Sequence, residues 1–372
     1  MRKDITGRYY RVFTYQDVDR VPDIEFGYWP QTLRRWLAEG MPLEMAPEET
    51  QQMFSAKANE FFGFEYEGHG LGPRLGMDPP FEEEVIQRKQ ESVVMRTADG
   101  ILAERYLNDS DRSSIPHFLE FPVKGPEDWQ GMKQRYRLDD PTRQIPAEDV
   151  AAARAAAKAG KMISAHCTGF YGQLRHWMGF ENLSLAFYDY PDMVHDMVEH
   201  WAELCARQIE RLPPDLPIDQ VAWWEDMASR NGPFVSPGMF REFLQPGYHR
   251  VMTAAGKHGC VLGVVDCDGN PHDIVGNWLE EGVNIMFPVE VAAGCDPFAW
   301  RREFGKELRM RGAVAKAPLV RGGRAIDAEL ERLRPMLDQG GFIPHLDHLV
   351  PPDISYDNYR YYLDKKRKMI GK

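Results

Sequence analysis

The chain has 372 residues, of which 43% are hydrophobic and 27% charged, and these proportions are ordinary for a soluble globular protein. Its net charge of −12 argues against binding to nucleic acid or to an anionic membrane surface. The sequence contains neither an amino-terminal signal core nor an apolar stretch long enough to cross a bilayer, so we expect a cytoplasmic protein. Its five cysteines include no C-x-x-C pair, which disfavours a disulfide framework and a zinc ribbon.

The first part of the chain contains few regular elements. The segment VPDIEFGYW (21–29) predicts a strand, and one further strand is expected between residues 60 and 120. VVMRTADGILAERYL (93–107) predicts a hairpin that turns at Asp99 and Gly100, because Asp-Gly favours a tight turn between two strands. The alanine-rich stretch 151–161 predicts a helix.

From about residue 160 onward, short apolar segments alternate with helical ones. The apolar segments predict buried parallel strands at 161–167, 218–224, 259–266, 283–291, 308–315 and 341–346. Helix starts are predicted where a proline follows a capping or turn residue, at Tyr190–Pro191, Ser236–Pro237 and Asp296–Pro297. We therefore expect an α/β fold in one domain over 1–372, a (β/α)8 TIM barrel with an elaborated N-terminal region. An open doubly wound sheet is the alternative, although no nucleotide-binding glycine motif follows a strand.

Acids and histidines recur where the predicted strands end, and in a barrel these ends meet at one mouth. The ends carry His166, Glu225, Asp226, Asp266, Asp268, Glu290, Lys316, His345, Asp347 and His348. Strand alternation places Asp266 and Asp268 on one face and Cys267 on the other, so we expect Cys267 to pack into the protein. Two adjacent carboxylates repel each other unless a cation, an arginine or a proton is shared between them, and a metal is the simplest explanation.

Four blocks of the sequence resemble the uroporphyrinogen decarboxylase superfamily. They are VDRVPDIEFGYW (18–29), WWEDMASRNGPFVSPGMFREFLQPGYHRVM (223–252), GVNIMFPVEVAAGCDP (282–297) and GGFIPHLDHLVPPDISYDNYRYY (340–362). The resemblance covers most of the chain, and its most specific part ends in VPPD (350–353). It implies a (β/α)8 barrel, in agreement with the pattern of elements.

The superfamily contains decarboxylases and corrinoid-linked methyltransferases, and the sequence favours the methyltransferases. True uroporphyrinogen decarboxylases carry an arginine-bearing motif near the amino terminus, where this chain has EFGYWPQ (25–31). Corrinoid-linked methyltransferases have a zinc site formed by His-x-Cys after the fifth strand and by a later Cys. On that pattern, Asp266 takes the His position, Asp268 the first Cys and His348 the last Cys. His345 is the alternative ligand to His348, because a regular last strand would put His345 and Asp347 on one face.

Two carboxylates and an imidazole form a harder metal site than thiolates do, and such a site favours an oxygen ligand. The resemblance therefore implies Zn²⁺ or another divalent metal, with methyl transfer from a small O-methyl substrate to a corrinoid. No corrinoid-binding DxHxxG motif occurs, so the corrinoid is expected on a separate partner protein. A homo-oligomer is compatible with the sequence, which leaves the oligomeric state open.

Further side chains are candidates for catalysis and for substrate binding. Glu225 is expected as a fourth ligand or to orient water, and His166 and His345 are expected to donate hydrogen bonds to substrate. Structural roles are the alternative for all three. An aromatic wall for the substrate is expected from Tyr28, Trp29, Tyr171 and Trp223, together with Phe170 and Trp224. Ordinary core packing is the competing interpretation for most of these rings.

The same residues leave two other functions open. A metal-free decarboxylase or lyase would use Asp266 or Asp268 as an acid–base group. A binding protein on a degenerate barrel would have no activity, and its strand-end acids would matter for stability alone.

Overall fold

The computed structural model of the chain describes residues 2, 4–46, 49–66, 68–107 and 115–372. The strands are β1 (Gly68–Leu71), β2 (Glu84–Arg88), β3 (Ser92–Arg96), β4 (Leu102–Tyr106), β5 (His117–Glu120), β6 (Met162–Thr168), β7 (Gln220–Trp224), β8 (Ala228–Ser229), β9 (Gly232–Pro233), β10 (Leu262–Asp266), β11 (Val283–Val289), β12 (Arg309–Val314) and β13 (Phe342–Leu346). The helices are α1 (Arg8–Phe13), α2 (Pro30–Ala38), α3 (Gln51–Phe62), α4 (Pro126–Lys133), α5 (Ala147–Lys158), α6 (Phe170–Met178), α7 (Phe180–Asp189), α8 (Pro191–Glu210), α9 (Pro237–Met239), α10 (Gln245–Gly256), α11 (Val275–Glu280), α12 (Pro297–Phe304), α13 (Lys316–Arg321), α14 (Arg324–Gln339) and α15 (Tyr356–Ile370).

Seven strands form one curled parallel sheet in the order β1-β6-β7-β10-β11-β12-β13. The six strands predicted between 161 and 346 all lie in this sheet, and β1 is the additional strand expected between 60 and 120. Helices separate the successive strands along the chain, which is the alternation that the sequence predicts. The prediction of an α/β fold with a parallel, TIM-like sheet is therefore confirmed.

The eighth strand predicted at 21–29 is absent, although the structure describes all of these residues. Its β-type backbone pairing is limited to an isolated bridge between Tyr28 and Val350, a residue beyond the end of β13. Glu25 accounts for the difference, because its Oε2 accepts a hydrogen bond of 3.2 Å from the Leu346 backbone N–H. A side-chain carboxylate thus accepts the hydrogen bond that a backbone carbonyl of a neighbouring strand would accept beside β13. The closed eight-stranded barrel is accordingly not confirmed.

Helix α1 fills the interior of the curled sheet from the amino-terminal ends of the strands. Tyr10 and Phe13 of α1 pack in one cluster with Met162 and Leu262, the first residues of β6 and β10. The larger core cluster contains residues of the flanking helices, such as Leu204 in α8. Because the interior is plugged at one end, the opening of the sheet lies at the carboxyl ends of its strands.

The remaining local predictions are confirmed. Strands β3 and β4 form the predicted hairpin with Gly100 in the left-handed region (φ 82°), inside an antiparallel sheet of order β2-β3-β4-β5. Ser236 Oγ accepts a bond from the Met239 N–H at 3.1 Å, and Asp296 Oδ1 accepts one from the Phe298 N–H at 2.8 Å. Among the described residues, no helix combines the length and the apolar character that a membrane span requires.

Candidate metal centre

Three aspartates converge where β7 and β10 end. Asp266, the last residue of β10, is the register partner of Trp224, the last residue of β7. Asp226 lies two residues beyond β7 in the left-handed backbone region (φ 43°), so the alternation of the strand does not continue to it. One carboxylate oxygen from each of Asp226, Asp266 and Asp268 lies within 4.8 Å of the others. Small side-chain movements would bring all three oxygens to within about 2.2 Å of one divalent ion.

His348 borders this cluster through Asp268. The His348 Nε2 atom lies 3.1 Å from Asp268 Oδ2, and the Asp268 backbone N–H donates to Asp226 Oδ1 at 3.1 Å. The other carboxylate oxygen, Asp268 Oδ1, is buried and has no hydrogen-bond partner within the part of the chain that the structure describes. A buried oxygen left without a partner is costly, and a cation would satisfy it. The donor set therefore fits a metal ion.

The electrostatics of the cluster favour a proton or a cation. Burial, followed by the charges of Asp226 and Asp268, raises the pKa of Asp266 to about 8. Burial and then the charge of Asp268 also raise the pKa of Asp226. Burial, the largest single effect, opposes the charged form of His348, but the hydrogen bond to Asp268 and the charges of Asp268 and Glu290 together outweigh it and raise the His348 pKa. Carboxylates that resist ionisation together are a signature of a shared positive charge.

Three further charged residues, Glu290, Lys316 and Asp347, stabilise the loops next to the aspartate cluster. The Gly269 N–H donates to Glu290 Oε2 at 3.0 Å, and the Ala292 N–H donates to Asp347 Oδ2 at 3.1 Å. Lys316 Nζ lies 3.6 Å from Glu290 and 3.7 Å from Asp347. Gly269 itself has φ 85°, and a Cβ there would lie 2.5 Å from the Ala228 carbonyl oxygen. The turn that carries Asp268 is thus held by the Gly269–Glu290 hydrogen bond, and it has no room for a side chain at position 269.

Glu225 is fully buried and holds the start of α6. Its Oε1 accepts from the Phe170 N–H at 2.7 Å and from the Tyr248 hydroxyl, and its Oε2 accepts from the Gly172 N–H at 2.8 Å. A Cβ on Gly169 would lie 2.0 Å from the Glu225 carboxyl carbon, so glycine is required there. Burial raises the pKa of Glu225 to about 7. Its neighbour Asp226 is the acid that joins the cluster, and a catalytic role for Glu225 stays a prediction.

The two other predicted histidines occupy different environments. His166 lines a cavity of about 500 Å³ beside Asp266. His345 is completely buried, and Arg311 Nε donates to its Nε2 at 3.3 Å while its Nδ1 bonds to the Leu346 carbonyl at 2.6 Å. His345 is therefore neutral, with its proton on Nδ1. Of the two histidines weighed as ligands, His348 is the one that contacts Asp268.

The four aromatic residues predicted to bind substrate also lie in two different environments. Trp29 stacks on His348 with ring centroids 6.2 Å apart, and Trp223 contributes to the cavity wall. Tyr28 and Tyr171 are almost fully buried in the main core, where Tyr28 packs against Trp36. Of the two further rings considered, Phe170 is also buried in this core, whereas Trp224 lines the cavity. Cys267 is buried in the same core, as expected.

Two residues of this region, Asp226 and Arg311, were not predicted from the sequence as ligands or as substrate-binding residues. Asp226 was noted at a strand end, but only the backbone turn at φ 43° brings it to the cluster. Arg311, within LRMRGAVA (308–315), lines the cavity together with Asp266. Its signal was a charged residue two positions after Arg309 in a strand whose other residues are apolar.

The chain belongs to the uroporphyrinogen decarboxylase (URO-D) family, whose model matches residues 109–369. This match confirms the resemblance found in the sequence blocks. No protein among the curated ones matches the sequence significantly.

One solved structure shares this fold, and a second shows a weaker similarity. A methyltransferase from Methanosarcina mazei aligns over 97% of this chain and 97% of its own, with a TM-score of 0.58 and 15% identity. A B12-independent methionine synthase from Shewanella sp. aligns over 94% of this chain and 96% of its own, with a TM-score of 0.44 and 11% identity. The first similarity establishes the fold alone, and the second is too low to support an argument.

Proposed function

We propose that this URO-D family member is a metal-dependent methyltransferase that moves a methyl group from a small O-methyl substrate to a corrinoid on a separate protein. The observation that carries the proposal is the convergence of Asp226, Asp266 and Asp268, with His348 in contact with Asp268. The cluster lies at the carboxyl ends of parallel strands, where TIM-like enzymes carry their chemistry. The fold shared with the Methanosarcina mazei methyltransferase supports the same class of reaction.

Asp266, Asp268 and His348 are the proposed metal ligands, and Asp226 is the fourth donor. Zn²⁺ accepts carboxylate oxygens and imidazole nitrogens, and an oxygen-rich set of this kind also suits Mn²⁺. Asp268 Oδ1 is buried and has no hydrogen-bond partner among the described residues, so it is the oxygen with the most to gain from a bound cation. Cys267 is excluded as a ligand because its sulfur accepts the Met227 N–H at 3.4 Å inside the core.

A divalent metal bound to this set would act as a Lewis acid on the ether oxygen and stabilise the departing alkoxide or phenolate. The protein's own residues position the donor. Trp29 stacks on His348 with an interplanar angle of 27° and restricts the orientation of the imidazole. Trp224 and His166 line the cavity next to Asp266, where they exclude water from one side of the substrate.

The corrinoid would approach from the mouth at the strand ends. The side chains of His348 and Asp268 are 19% and 38% exposed, so the proposed ligands are accessible from outside the cavity. An acceptor carried by a partner protein needs such an open side, because the methyl group has to leave the interior of the curled sheet. The partner is proposed to be separate because the chain has no DxHxxG motif.

Two measurements on the purified protein test this function. Elemental analysis should find about one divalent transition metal per chain. Incubation with methoxylated aromatic and aliphatic donors and cobalamin reduced to cobalt(I) should change the cobalamin absorption spectrum. Asp268→Asn should abolish the metal and the spectral change, whereas the matched variant Cys267→Ser should keep both. Metal-free protein, or no spectral change with any donor, would overturn the proposal.

A metal-free decarboxylase or lyase is the second candidate, and one observation favours it. With its pKa raised to about 8, Asp266 retains a proton at neutral pH and is a suitable general acid at the cavity wall. Turnover of a polycarboxylate that persists after chelator treatment and is lost in Asp266→Asn would select this function over methyl transfer.

A further inference from the structure

We propose that the cavity beside the aspartate cluster is the binding site of a small organic carboxylate, and that Arg311 binds its carboxylate group. Identifying this ligand with the methyl donor rests on the proposed function. The binding site itself follows from the cavity, from the register of the sheet and from the contacts of Arg311.

Asp266 and Arg311 lie at the same level of the curled sheet, with one strand between them. Asp266 pairs in register with Phe287 of β11, while Met310 and Gly312 of β12 pair with Met286 and Val289 on either side of that level. Neighbouring strands are about 4.8 Å apart, so the two backbones are separated by roughly 10 Å. Both side chains line the same cavity of about 500 Å³. A ligand in this cavity can therefore contact both side chains.

Arg311 carries a charge that no contacting acid balances. Its Nε donates to His345 Nε2 at 3.3 Å, its guanidinium lies 4.1 Å from the centre of the Phe287 ring, and it also interacts with Tyr9. These three partners are uncharged. Within the described ranges no carboxylate forms an ion pair with Arg311, and the attraction between Arg311 and the Asp266 carboxylate acts at longer range. A partly buried guanidinium without an anion in contact is costly, which points to an anion supplied by a ligand.

The neighbours of Arg311 hold the guanidinium ready for a planar anion. His345 is fixed by its own bond to the Leu346 carbonyl at 2.6 Å, so it orients the Nε side of the fork. Phe287 supports one face of the guanidinium. Such a fixed fork matches the two oxygens of a carboxylate.

The charge balance selects a monoanion. A single guanidinium neutralises one negative charge, whereas the three aspartates nearby repel a dianion such as phosphate. Trp224 and Phe287 line the same cavity and offer apolar faces to an aromatic body. The ligand class is therefore a small aromatic or similarly flat carboxylic acid, with its second functional group directed toward Asp266.

Isothermal titration calorimetry on the purified protein tests the site without any methyl transfer. The probes are 4-methoxybenzoate and benzoate, each compared with the neutral amide of the same shape. Both carboxylates should bind at least about tenfold more tightly than their amides, because an ionic hydrogen-bonded contact is lost in the amide. Equal binding of acid and amide, or no measurable binding of either acid, would overturn the proposal.

Substitutions of Arg311 test whether this residue causes the preference for a carboxylate over its amide. Arg311→Gln should remove the discrimination between acid and amide, and Arg311→Lys should retain part of it, since the charge remains but the fork is lost. Arg334→Gln, at an exposed position paired with Glu331, is the control and should leave discrimination unchanged. Discrimination that survives in both Arg311 variants would sink the idea. Arg311-dependent binding of benzoate in a protein that transfers no methyl group would instead refute the proposed function and leave this site standing.

Discussion

The Nε2 atom of His348 lies 3.1 Å from Asp268 Oδ2, although 80 residues separate the two in the chain. The contact joins the turn after β10 to the turn after β13. It places the imidazole beside Asp268, which also belongs to the cluster of three aspartates. His345, three residues earlier, is instead fixed by Arg311 and the Leu346 carbonyl.

The first prediction concerns metal retention through His348. His348→Ala should weaken metal affinity by at least about 100-fold, since loss of even an indirect supporting contact commonly costs 10- to 100-fold. Competition against a chromophoric chelator measures the change. His249→Ala is the control, because His249 is 71% exposed and pairs with Glu281. Unchanged affinity in His348→Ala would remove His348 from the ligand set.

The second prediction gives Asp226→Asn opposite effects on metal binding and on stability. Asparagine keeps an Oδ1 acceptor for the Asp268 N–H, so the turn should remain intact. Metal retention should fall, because one charged donor is lost. The chelator-treated protein should unfold with a free energy higher by on the order of 1 kcal/mol at pH 9, since repulsion among partly solvated carboxylates is relieved.

Urea denaturation of the chelator-treated protein and elemental analysis of the untreated protein measure these two effects. A variant that loses stability and keeps its metal would show that Asp226 holds the fold and does not bind the ion.

The third prediction is a pH dependence of the metal-free protein. The pKa of Asp266 rises from 3.8 to about 8 in the folded state. Between these values the folded state holds a proton that the unfolded state has released, so the stability contribution is complete below pH 4 and is lost as pH rises through 8. Glu225, with its pKa raised from 4.5 to about 7, acts in the same direction.

The difference between wild type and Asp266→Asn isolates the part due to Asp266. Chemical denaturation at pH 5, 7 and 9 should show a decline in wild-type stability that is smaller in the variant. Parallel curves would mean that Asp266 is ionised throughout, as an ion pair would require. In the metal-loaded form the part of the decline that is due to Asp266 should disappear, because the ion replaces the proton.

Apolar patterns in the sequence predicted most of the fold. The buried strands β6, β7 and β10–β13 are continuous hydrophobic segments bounded by turn residues, and burial on both faces leaves few other structures for them. The strand predicted at 21–29 does not form, because Glu25, a polar residue within this segment, bonds to the Leu346 N–H through its side chain. Alternation and β-propensity carry no information about such a replacement.

The candidate site was predictable where a regular strand continues to the functional residue. Asp266 ends β10, so its orientation follows from period-two alternation, and Asp268 was placed by extending the same rule. The position of the Asp226 side chain could not be predicted from this alternation, because its left-handed backbone turns the side chain independently of the strand. The pairing of His348 with Asp268 depends on loop geometry, so the sequence favoured His348 but left His345 as a possible replacement.

The last prediction separates a structural from a catalytic role for Glu225. Both of its oxygens accept hydrogen bonds in the core, from the N–H groups of Phe170 and Gly172 and from the Tyr248 hydroxyl. Glu225→Gln would turn an NH₂ group toward one of these donors and leave it unsatisfied. The free energy of unfolding should therefore fall by about 1–3 kcal/mol at pH 8.

Metal content and affinity should be unchanged in Glu225→Gln, because Asp226 and not Glu225 belongs to the aspartate cluster. Tyr248→Phe is the matched comparison, since it deletes one donor and leaves the carboxylate bonded to both backbone groups. It should destabilise the protein less than Glu225→Gln does. If Glu225→Gln lost the metal while its unfolding free energy stayed at the wild-type value, Glu225 would be a ligand and the hydrogen bonds at the start of α6 would be secondary.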